Sequence, residues 1–258
     1  MDLAKLDSDV AKAGGSLGVL AMSVPDGRTL SSLHEDESFP LASAAKLAIG
    51  WAAADAVRGG KVRWHTLVRG LELDPNDEGG RELYPHIFGQ TELELREVVE
   101  VMIGALDHYY AMAVARQLGG WDAVQRRISD AYPGVRVHMN PYDPEQNSGQ
   151  LTDVVRLARD VAAGYRKEPR LWRPVVAGLV RQQYKADDIP PHHVLNVQGG
   201  LGDAVIDTGL LGDIASPNLL AYAVAVKRIG RPEELVAAYN RLEDVIRDLY
   251  DDHIDVPA

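Results

Sequence analysis

The chain of 258 residues is long enough to form one large domain or two closely packed lobes. Its 27 basic and 38 acidic residues give a formal net charge of −11, which argues against a surface that tracks nucleic-acid phosphates or anionic lipids. The sequence contains no cysteine, and this excludes disulfides, thiolate chemistry and cysteine-ligated metals.

The N-terminal part of the chain predicts a short helix followed by a β-hairpin. Apolar residues recur at helical spacing before Gly14-Gly15. The runs SLGVLAMSV and TLSSL then flank a Pro-Asp-Gly turn, which is typical of a hairpin. The first residues carry charges throughout and lack the apolar stretch of a secretory signal. We therefore expect a cytoplasmic protein if Met1 is the native start, and otherwise an exported protein whose signal has been removed.

The middle of the chain predicts helices. An alanine-rich segment from Ser43 to Val57, closed by Gly59-Gly60, is typical of a helix. Between about residues 61 and 180 no convincing strand is found, and Thr91 with Glu94 forms a capping box at the entry of one helix. An irregular stretch at about 131–150 interrupts these helices, and loops of that length are usually functional or mobile.

The C-terminal part predicts three strands and a helix. The runs HHVLNVQGG, DAVIDTGLL and LLAYAVAVKR are separated by turns, and PEELVAAYNRLEDVIRDLY carries an apolar stripe at helical spacing. This layout predicts an α/β (α+β) fold in which residues 1–58 and 181–258 form one lobe, a sheet with its terminal helices. Residues 59–180 would form an inserted all-helical lobe.

Ser43 and Lys46 form the strongest candidate site. Residues three apart share one face of a helix, so this lysine can lie beside the serine and act as its base. Lys46 is the only charge between Ser43 and Ala54, and burial in such an apolar helix would lower its pKa. The alternative is an N-capping serine and a solvated lysine, as in many helices with this spacing.

Three segments resemble class A β-lactamases and related penicillin-binding proteins, in the order of that family. FPLASAAKLAIG resembles the active-site segment, VVEVMIGALDHYYAMAVARQLGG the segment that carries a Ser-Asp-Asn motif, and HVLNVQGGLGDAVIDTGLL the strand that carries Lys-Thr-Gly with its successor. The resemblance implies a five-stranded antiparallel sheet flanked by terminal helices, with an inserted all-helical lobe. It also implies that Ser43 is the nucleophile and Lys46 its base, with an oxyanion hole formed by the backbone N–H groups of Ser43 and Gly200.

The second and third motifs depart from that family. Leu106-Asp107-His108 stands at Ser-Asp-Asn, so Leu106 replaces a serine that relays a proton to the leaving group. Val197-Gln198-Gly199 stands at Lys-Thr-Gly, which removes a cation that helps to hold the substrate carboxylate. The resemblance implies substrate-binding positions for the residues that remain, namely Asp107, Gln198, Gly199 and Gly200.

Other polar side chains are candidate replacements for the missing groups. His108, Tyr109 and Tyr110 follow Asp107, and a tyrosine acts as base beside a serine–lysine pair in class C-like lactamases and esterases. The alternative for either tyrosine is a buried aromatic ring with a satisfied hydroxyl. The alignment places His138 at the deacylating glutamate of the family, where it would be a substrate-side residue, or else a solvated loop histidine. Glu145 is the other candidate for that glutamate.

The sequence supports two main functions. The first is a serine hydrolase that forms an acyl-enzyme on Ser43 from a small-molecule ester, amide or β-lactam, and is weak or inactive on β-lactams. The second is a catalytically impaired protein of the same fold with a ligand-binding or scaffold role; a different reaction in the same cleft is a third. We expect no cofactor, no nucleic acid and no membrane, and the oligomeric state stays open. We also expect no metal, since His192 and His193 would point to opposite faces of a strand.

Overall fold

The computed structural model describes residues 2–12, 14–71, 78–87, 90–138, 147–182, 186–230 and 232–254. Its helices are α1 (Leu3–Lys12), α2 (Ala45–Arg58), α3 (Glu78–Leu83), α4 (Leu95–Gly104), α5 (His108–Gln117), α6 (Trp121–Ala131), α7 (Leu151–Lys167), α8 (Pro169–Arg181) and α9 (Pro232–His253). Its strands are β1 (Ser16–Ser23), β2 (Thr29–Leu33), β3 (Ser38–Pro40), β4 (Leu67–Arg69), β5 (Glu92–Glu94), β6 (Val135–Arg136), β7 (Ser148–Gln150), β8 (Val194–Leu201), β9 (Ala204–Leu211) and β10 (Leu220–Lys227). Single turns of 3-10 helix lie at Ala42–Ala44 and Pro191–His193.

The central sheet joins strands from both ends of the chain. Its five strands are antiparallel neighbours in the order β2-β1-β10-β9-β8, which confirms the predicted fold class. The predicted hairpin is β1 and β2, whose turn is closed by the Ser23 N–H donating to the Arg28 carbonyl at 2.9 Å. Strand β8 lies at the edge of the sheet, so within the described residues only one of its two long sides pairs with another strand.

Helices cover both faces of the sheet. Side chains alternate along each strand, so β10 sends Tyr222 and Val224 to the face covered by α1 and α9. Its Ala221 and Ala223 lie on the other face, against α7, while α8 packs on the same sheet at β8. Burial on both faces explains why β10 reads as a nearly continuous apolar run rather than an alternating pattern.

The inserted middle segment is not wholly helical. Strands β4 and β5 pair with each other, and β6 and β7 form a second small sheet with β3. The expected all-helical segment did not include these strands, because two or three residues are too short to show a period of two. The start of α4 also differs from the predicted capping box at Thr91, since the box is made by Glu94 with Glu97, whose carboxylate accepts from the Glu94 N–H at 2.9 Å.

The loop expected at about 131–150 contains β6 and β7, and its residues 139–146 lie outside the described part of the chain. Leu41, two residues before Ser43, connects this region to the candidate site, because its N–H donates to the Asn147 carbonyl at 2.8 Å. Within the described residues, no helix is both long and apolar enough to cross a membrane.

Candidate active site

Ser43 lies in the short 3-10 turn that leads directly into α2. The preceding strand β3 fixes the entry to this turn, because Phe39 is fully buried and pairs with Gly149 of β7. Ala42, directly before the serine, has φ of +45°, a conformation that costs an L-residue about 1 kcal/mol or more. Ser43 itself is only partly buried.

Lys46 is buried directly beside the serine. Its Nζ donates a hydrogen bond to Ser43 Oγ at 2.9 Å, as the spacing along the helix predicts. Only 7% of the residue is exposed, because α2 is surrounded by apolar packing on nearly all sides. This burial lowers the Lys46 pKa from 10.5 to about 8, since a charged amine is poorly solvated there, while the negative charge of Asp107 acts in the opposite direction.

Asp107 shapes the same part of the site from the helical segment. It is buried and forms the N-cap of α5, where its Oδ1 accepts from the Tyr110 N–H at 2.9 Å. Its carboxylate is close enough to Lys46 to raise the lysine pKa. Asp107 therefore has two effects here, because it holds the start of α5 and partly offsets the burial of the lysine.

Gly199 brings the edge strand β8 against the Ser43 turn. A Cβ built on Gly199 would lie 2.2 Å from the Leu41 carbonyl oxygen and 2.9 Å from the Ala44 nitrogen. Any side chain at this position would therefore push the strand away from the turn that carries Ser43. The next residue, Gly200, is exposed on the same strand. The site thus lies between the first turn of α2 and the open edge of the sheet.

Leu106 and Val197 give the site an apolar character where the related family has polar groups. Val197 is fully buried in the main hydrophobic core, so strand β8 offers no charge at that position. Leu106 is partly buried, packs against the same core and has φ of +57°. It directly precedes Asp107, so an aliphatic side chain lies on the loop that enters α5.

His108 and Tyr109 occupy the first turn of α5 and pack on each other, with ring centroids 4.1 Å apart. Both are partly buried, and among the described contacts neither ring hydrogen-bonds to Ser43 or Lys46. Tyr110 is fully buried, and this burial raises the pKa of its hydroxyl far above the ordinary value. A raised pKa makes Tyr110 a poor candidate for a base near neutral pH.

Gln198 lies on the opposite face of β8 from Gly199, as strand alternation requires. Its Nε2 donates to Asp207 Oδ2 at 3.4 Å, and Asp207 also accepts from Asn196 at 2.8 Å and from the Tyr222 hydroxyl at 2.6 Å. The structure therefore places the Gln198 side chain in a polar network with β9 and β10, and not against the Ser43 turn.

The histidines outside α5 do not join the serine–lysine pair. His138 is exposed, and its backbone N–H donates to Asn147 Oδ1 at 2.8 Å. Glu145 lies outside the described residues. His192 and His193 lie in a 3-10 turn with ring centroids 4.4 Å apart, so the expectation that a strand separates them is wrong. Within the described ranges no three His, Asp or Glu side chains form a group that could hold a metal.

One contact at the site has no signal in the sequence. Tyr239 of α9 lies against the backbone of Gly200, so that a Cβ built on Gly200 would be 2.0 Å from the tyrosine hydroxyl oxygen. The sequence shows Tyr239 only as one member of the apolar stripe of the terminal helix. That stripe predicts which side of α9 faces the protein, and it gives no indication of which strand each residue contacts.

Two solved structures share this arrangement of elements. A mutant of PBP-A in an acyl-enzyme complex with penicillin G superimposes with a TM-score of 0.72 at 19% identity, covering 96% of this chain and 97% of that one. A β-lactamase from Chitinophaga pinensis superimposes with a TM-score of 0.74 at 20% identity, covering 95% and 98%. At this level of identity, the two likenesses show a common fold.

The sequence comparisons identify the family. A β-lactamase from Streptomyces albus G is 32% identical over 148 residues, which cover 55% of this chain and 46% of that protein. The alignment therefore spans just under half the length of this relative. The profile of the Beta-lactamase enzyme family matches residues 3–250, which is nearly the whole sequence. The chain belongs to the Beta-lactamase enzyme family.

Proposed function

We propose that this protein is a serine hydrolase that forms an acyl-enzyme on Ser43, with Lys46 as the base. The observation that carries the proposal is the 2.9 Å hydrogen bond between Lys46 Nζ and Ser43 Oγ, made by a lysine that is almost completely buried. Because burial lowers the Lys46 pKa to about 8, a useful fraction of the amine is neutral near physiological pH. A neutral amine is able to accept the serine proton.

The proposed reaction uses the groups that meet at this site. Ser43 Oγ attacks the substrate carbonyl while Lys46 takes its proton, so that a new carbon–oxygen bond forms. The oxyanion would be held by the backbone N–H groups of Ser43 and Gly200, a pairing that rests on the resemblance to the family. The bond to the leaving group then breaks, and the proton held by Lys46 passes to the leaving atom. Water subsequently releases the acyl group from Ser43.

We expect β-lactams to be poor substrates. Leu106 has no proton to relay to a leaving nitrogen, and the buried Val197 side chain offers no cation to a substrate carboxylate. His138, which the alignment places at the deacylating glutamate, is an exposed imidazole and not a carboxylate. The loss of one positioned acid–base group typically lowers a rate by about 10²–10⁴. The hydrolysis of an ester or a reactive amide depends less on leaving-group protonation and carboxylate binding than the hydrolysis of a β-lactam does.

A second candidate function is ligand binding without turnover. It is favoured by the same apolar replacements, since Leu106 and Val197 remove two polar groups while Gly199 still holds β8 against the Ser43 turn. In this role the cleft would hold a ligand and Ser43 would not be acylated.

Intact-mass spectrometry distinguishes the two functions. The protein, its Ser43→Ala variant and a Ser32→Ala variant are each incubated with penicillin G and with a fluorophosphonate. Ser32 is an exposed serine on β2 and serves as the matched control. Penicillin G is a suitable probe because a mutant of PBP-A, which shares the fold, forms an acyl-enzyme complex with that compound.

The hydrolase proposal predicts a covalent adduct in the parent protein and in Ser32→Ala, and none in Ser43→Ala. Failure of both probes to label the parent protein would support the binding role instead. Turnover of a chromogenic cephalosporin at rates typical of lactamases would overturn the expectation that the apolar replacements impair β-lactam hydrolysis.

A further inference from the structure

We propose that Tyr239 is a positioning residue, which holds the backbone of Gly200 in place as an oxyanion donor. This inference rests on the proposed function, because it assumes that the Gly200 N–H takes part in an acyl-transfer step at Ser43. Its structural basis is independent of that assumption. A Cβ built on Gly200 would lie 2.0 Å from the Tyr239 hydroxyl oxygen and 3.3 Å from the ring carbon Cζ that carries it.

The contact matters because β8 is an edge strand. Strand β9 pairs with one of its long sides, and in the described part of the chain no strand pairs with the other. Side chains alternate along the strand, so Gly199 faces the turn that carries Ser43 and Gly200 faces α9. The strand is therefore clamped between two contacts at consecutive residues, with the Ser43 turn on one face and the Tyr239 hydroxyl on the other.

The helix that carries the tyrosine is packed firmly on the sheet. Helix α9 packs on β9 and β10, and its Leu242 and Leu249 are fully buried in the hydrophobic core between the terminal helices and the sheet. Tyr239 is partly buried, so its ring spans the distance from that core to the exposed Gly200 backbone. The hydroxyl oxygen lies where the first carbon of any side chain at position 200 would be. This explains the glycine at position 200 without a requirement for unusual backbone angles.

Tyr239 is expected to act on the rate of acylation more than on substrate affinity. It touches the strand backbone, and the oxyanion charge develops mainly in the transition state. Hydrogen bonds weaken steeply with distance and angle, so a small outward movement of the strand lowers stabilisation of that charge. Removal of a whole oxyanion donor typically costs about 10²–10³ in kcat. Loosening one donor should cost less, on the order of 10-fold.

The test compares Tyr239→Phe, Gly200→Ala and the double variant in the full chain, with p-nitrophenyl acetate as substrate. Tyr250→Phe is the matched control, because Tyr250 lies on the same helix as Tyr239. The Tyr250 hydroxyl contacts His193 Nδ1 at 2.6 Å and does not touch Gly200. Thermal unfolding of every variant establishes that the fold is retained. The carbonyl stretching frequency of a trapped acyl-enzyme reports the strength of the oxyanion hydrogen bonds directly.

We expect Tyr239→Phe to lower kcat about 3- to 10-fold with little change in KM, and to raise the acyl carbonyl frequency. Tyr250→Phe should change neither. Gly200→Ala should be far more damaging alone, because its Cβ collides with the hydroxyl. The double variant should recover to near the Tyr239→Phe level, since the ring carbon at 3.3 Å leaves room for a methyl group after a small shift.

Each remaining outcome has one meaning. Unchanged kcat and carbonyl frequency in Tyr239→Phe would overturn the positioning role, and so would a double variant no better than Gly200→Ala. Both results require that the parent protein hydrolyses the ester and that Ser43→Ala does not. If the parent shows no Ser43-dependent hydrolysis or adduct, the proposed function fails and this inference fails with it.

Discussion

Gly199 and Ala44 meet backbone to backbone, so that a Cβ on Gly199 would lie 2.9 Å from the Ala44 nitrogen. The same Cβ would be 2.2 Å from the Leu41 carbonyl oxygen, and neither of these atoms belongs to a flexible side chain. This contact sets the distance between the edge of the sheet and the turn that carries Ser43.

We predict that Gly199→Ala lowers Ser43 acylation by at least about 10²-fold, because the strand must move outward to relieve the collision. Gly202→Ala is the matched control, since a Cβ there has no neighbour within 4 Å. The measurement is the rate of fluorophosphonate labelling, with circular dichroism to verify folding. Equal labelling rates for the two variants would show that the strand position does not affect the nucleophile.

The pH dependence of acylation should report the Lys46 amine. The amine must be neutral to accept the serine proton, and burial lowers its pKa to about 8. Labelling should therefore rise about tenfold per pH unit below pH 8 and level off above it. Asp107 raises the Lys46 pKa, so Asp107→Asn should move the profile to lower pH while an asparagine still caps α5. A flat profile between pH 6 and 10 would exclude Lys46 as the base.

Much of this fold could be predicted from local sequence pattern. The strands β1, β2, β8, β9 and β10 are bounded by glycine and proline turns, and their apolar runs are long enough to identify. The pairing of Ser43 with Lys46 follows from helix geometry, because residues three apart lie on one face. These features depend on residues that are close together in the sequence.

The rest depended on contacts between distant segments. Tyr239 and Gly200 come from different elements, and no periodicity links a helix residue to one particular strand position. The orientation of Gln198, in contrast, could have been predicted from the sequence. If Gly199 faces the Ser43 turn, then strand alternation already places Gln198 on the other face of the strand.

Lys46 should reduce the stability of the protein at neutral pH. Its pKa is near 10.5 in the unfolded chain and about 8 in the fold, so the unfolded state binds more protons between these values. Stability therefore rises with pH across that window, and the full penalty is present below pH 8. We expect Lys46→Met to raise the free energy of unfolding at pH 7 by roughly 1–3 kcal/mol, while abolishing acylation.

Urea unfolding at pH 7 and pH 10 measures this effect. The advantage of Lys46→Met over the parent protein should shrink at pH 10, because the native lysine is then neutral. Lys61→Met is the control, since Lys61 is exposed and should show a difference near zero at both pH values. A Lys46→Met variant that is less stable than the parent at pH 7 would contradict the inferred penalty.

Leu106 is the position where a single substitution should increase reactivity toward β-lactams. A hydroxyl there would be able to relay a proton to the leaving nitrogen, the task that the aliphatic side chain cannot perform. We predict that Leu106→Ser raises the rate of penicillin G acylation about 10-fold or more, at the cost of about 1–3 kcal/mol of stability from lost core packing. The rate is followed by intact mass over time.

The Leu106→Ala variant distinguishes the effect of the added hydroxyl from the effect of the space left by the smaller side chain. Both substitutions remove the same packing against the core, and both keep a non-glycine residue at φ of +57°. Only serine adds a proton donor, so the gain should appear in Leu106→Ser and not in Leu106→Ala. Because ester leaving groups depend less on protonation than amide nitrogen does, hydrolysis of p-nitrophenyl acetate should change less than twofold or so in either variant. An equal gain with alanine would show that Leu106 obstructs the substrate sterically and that the missing proton relay does not limit the reaction.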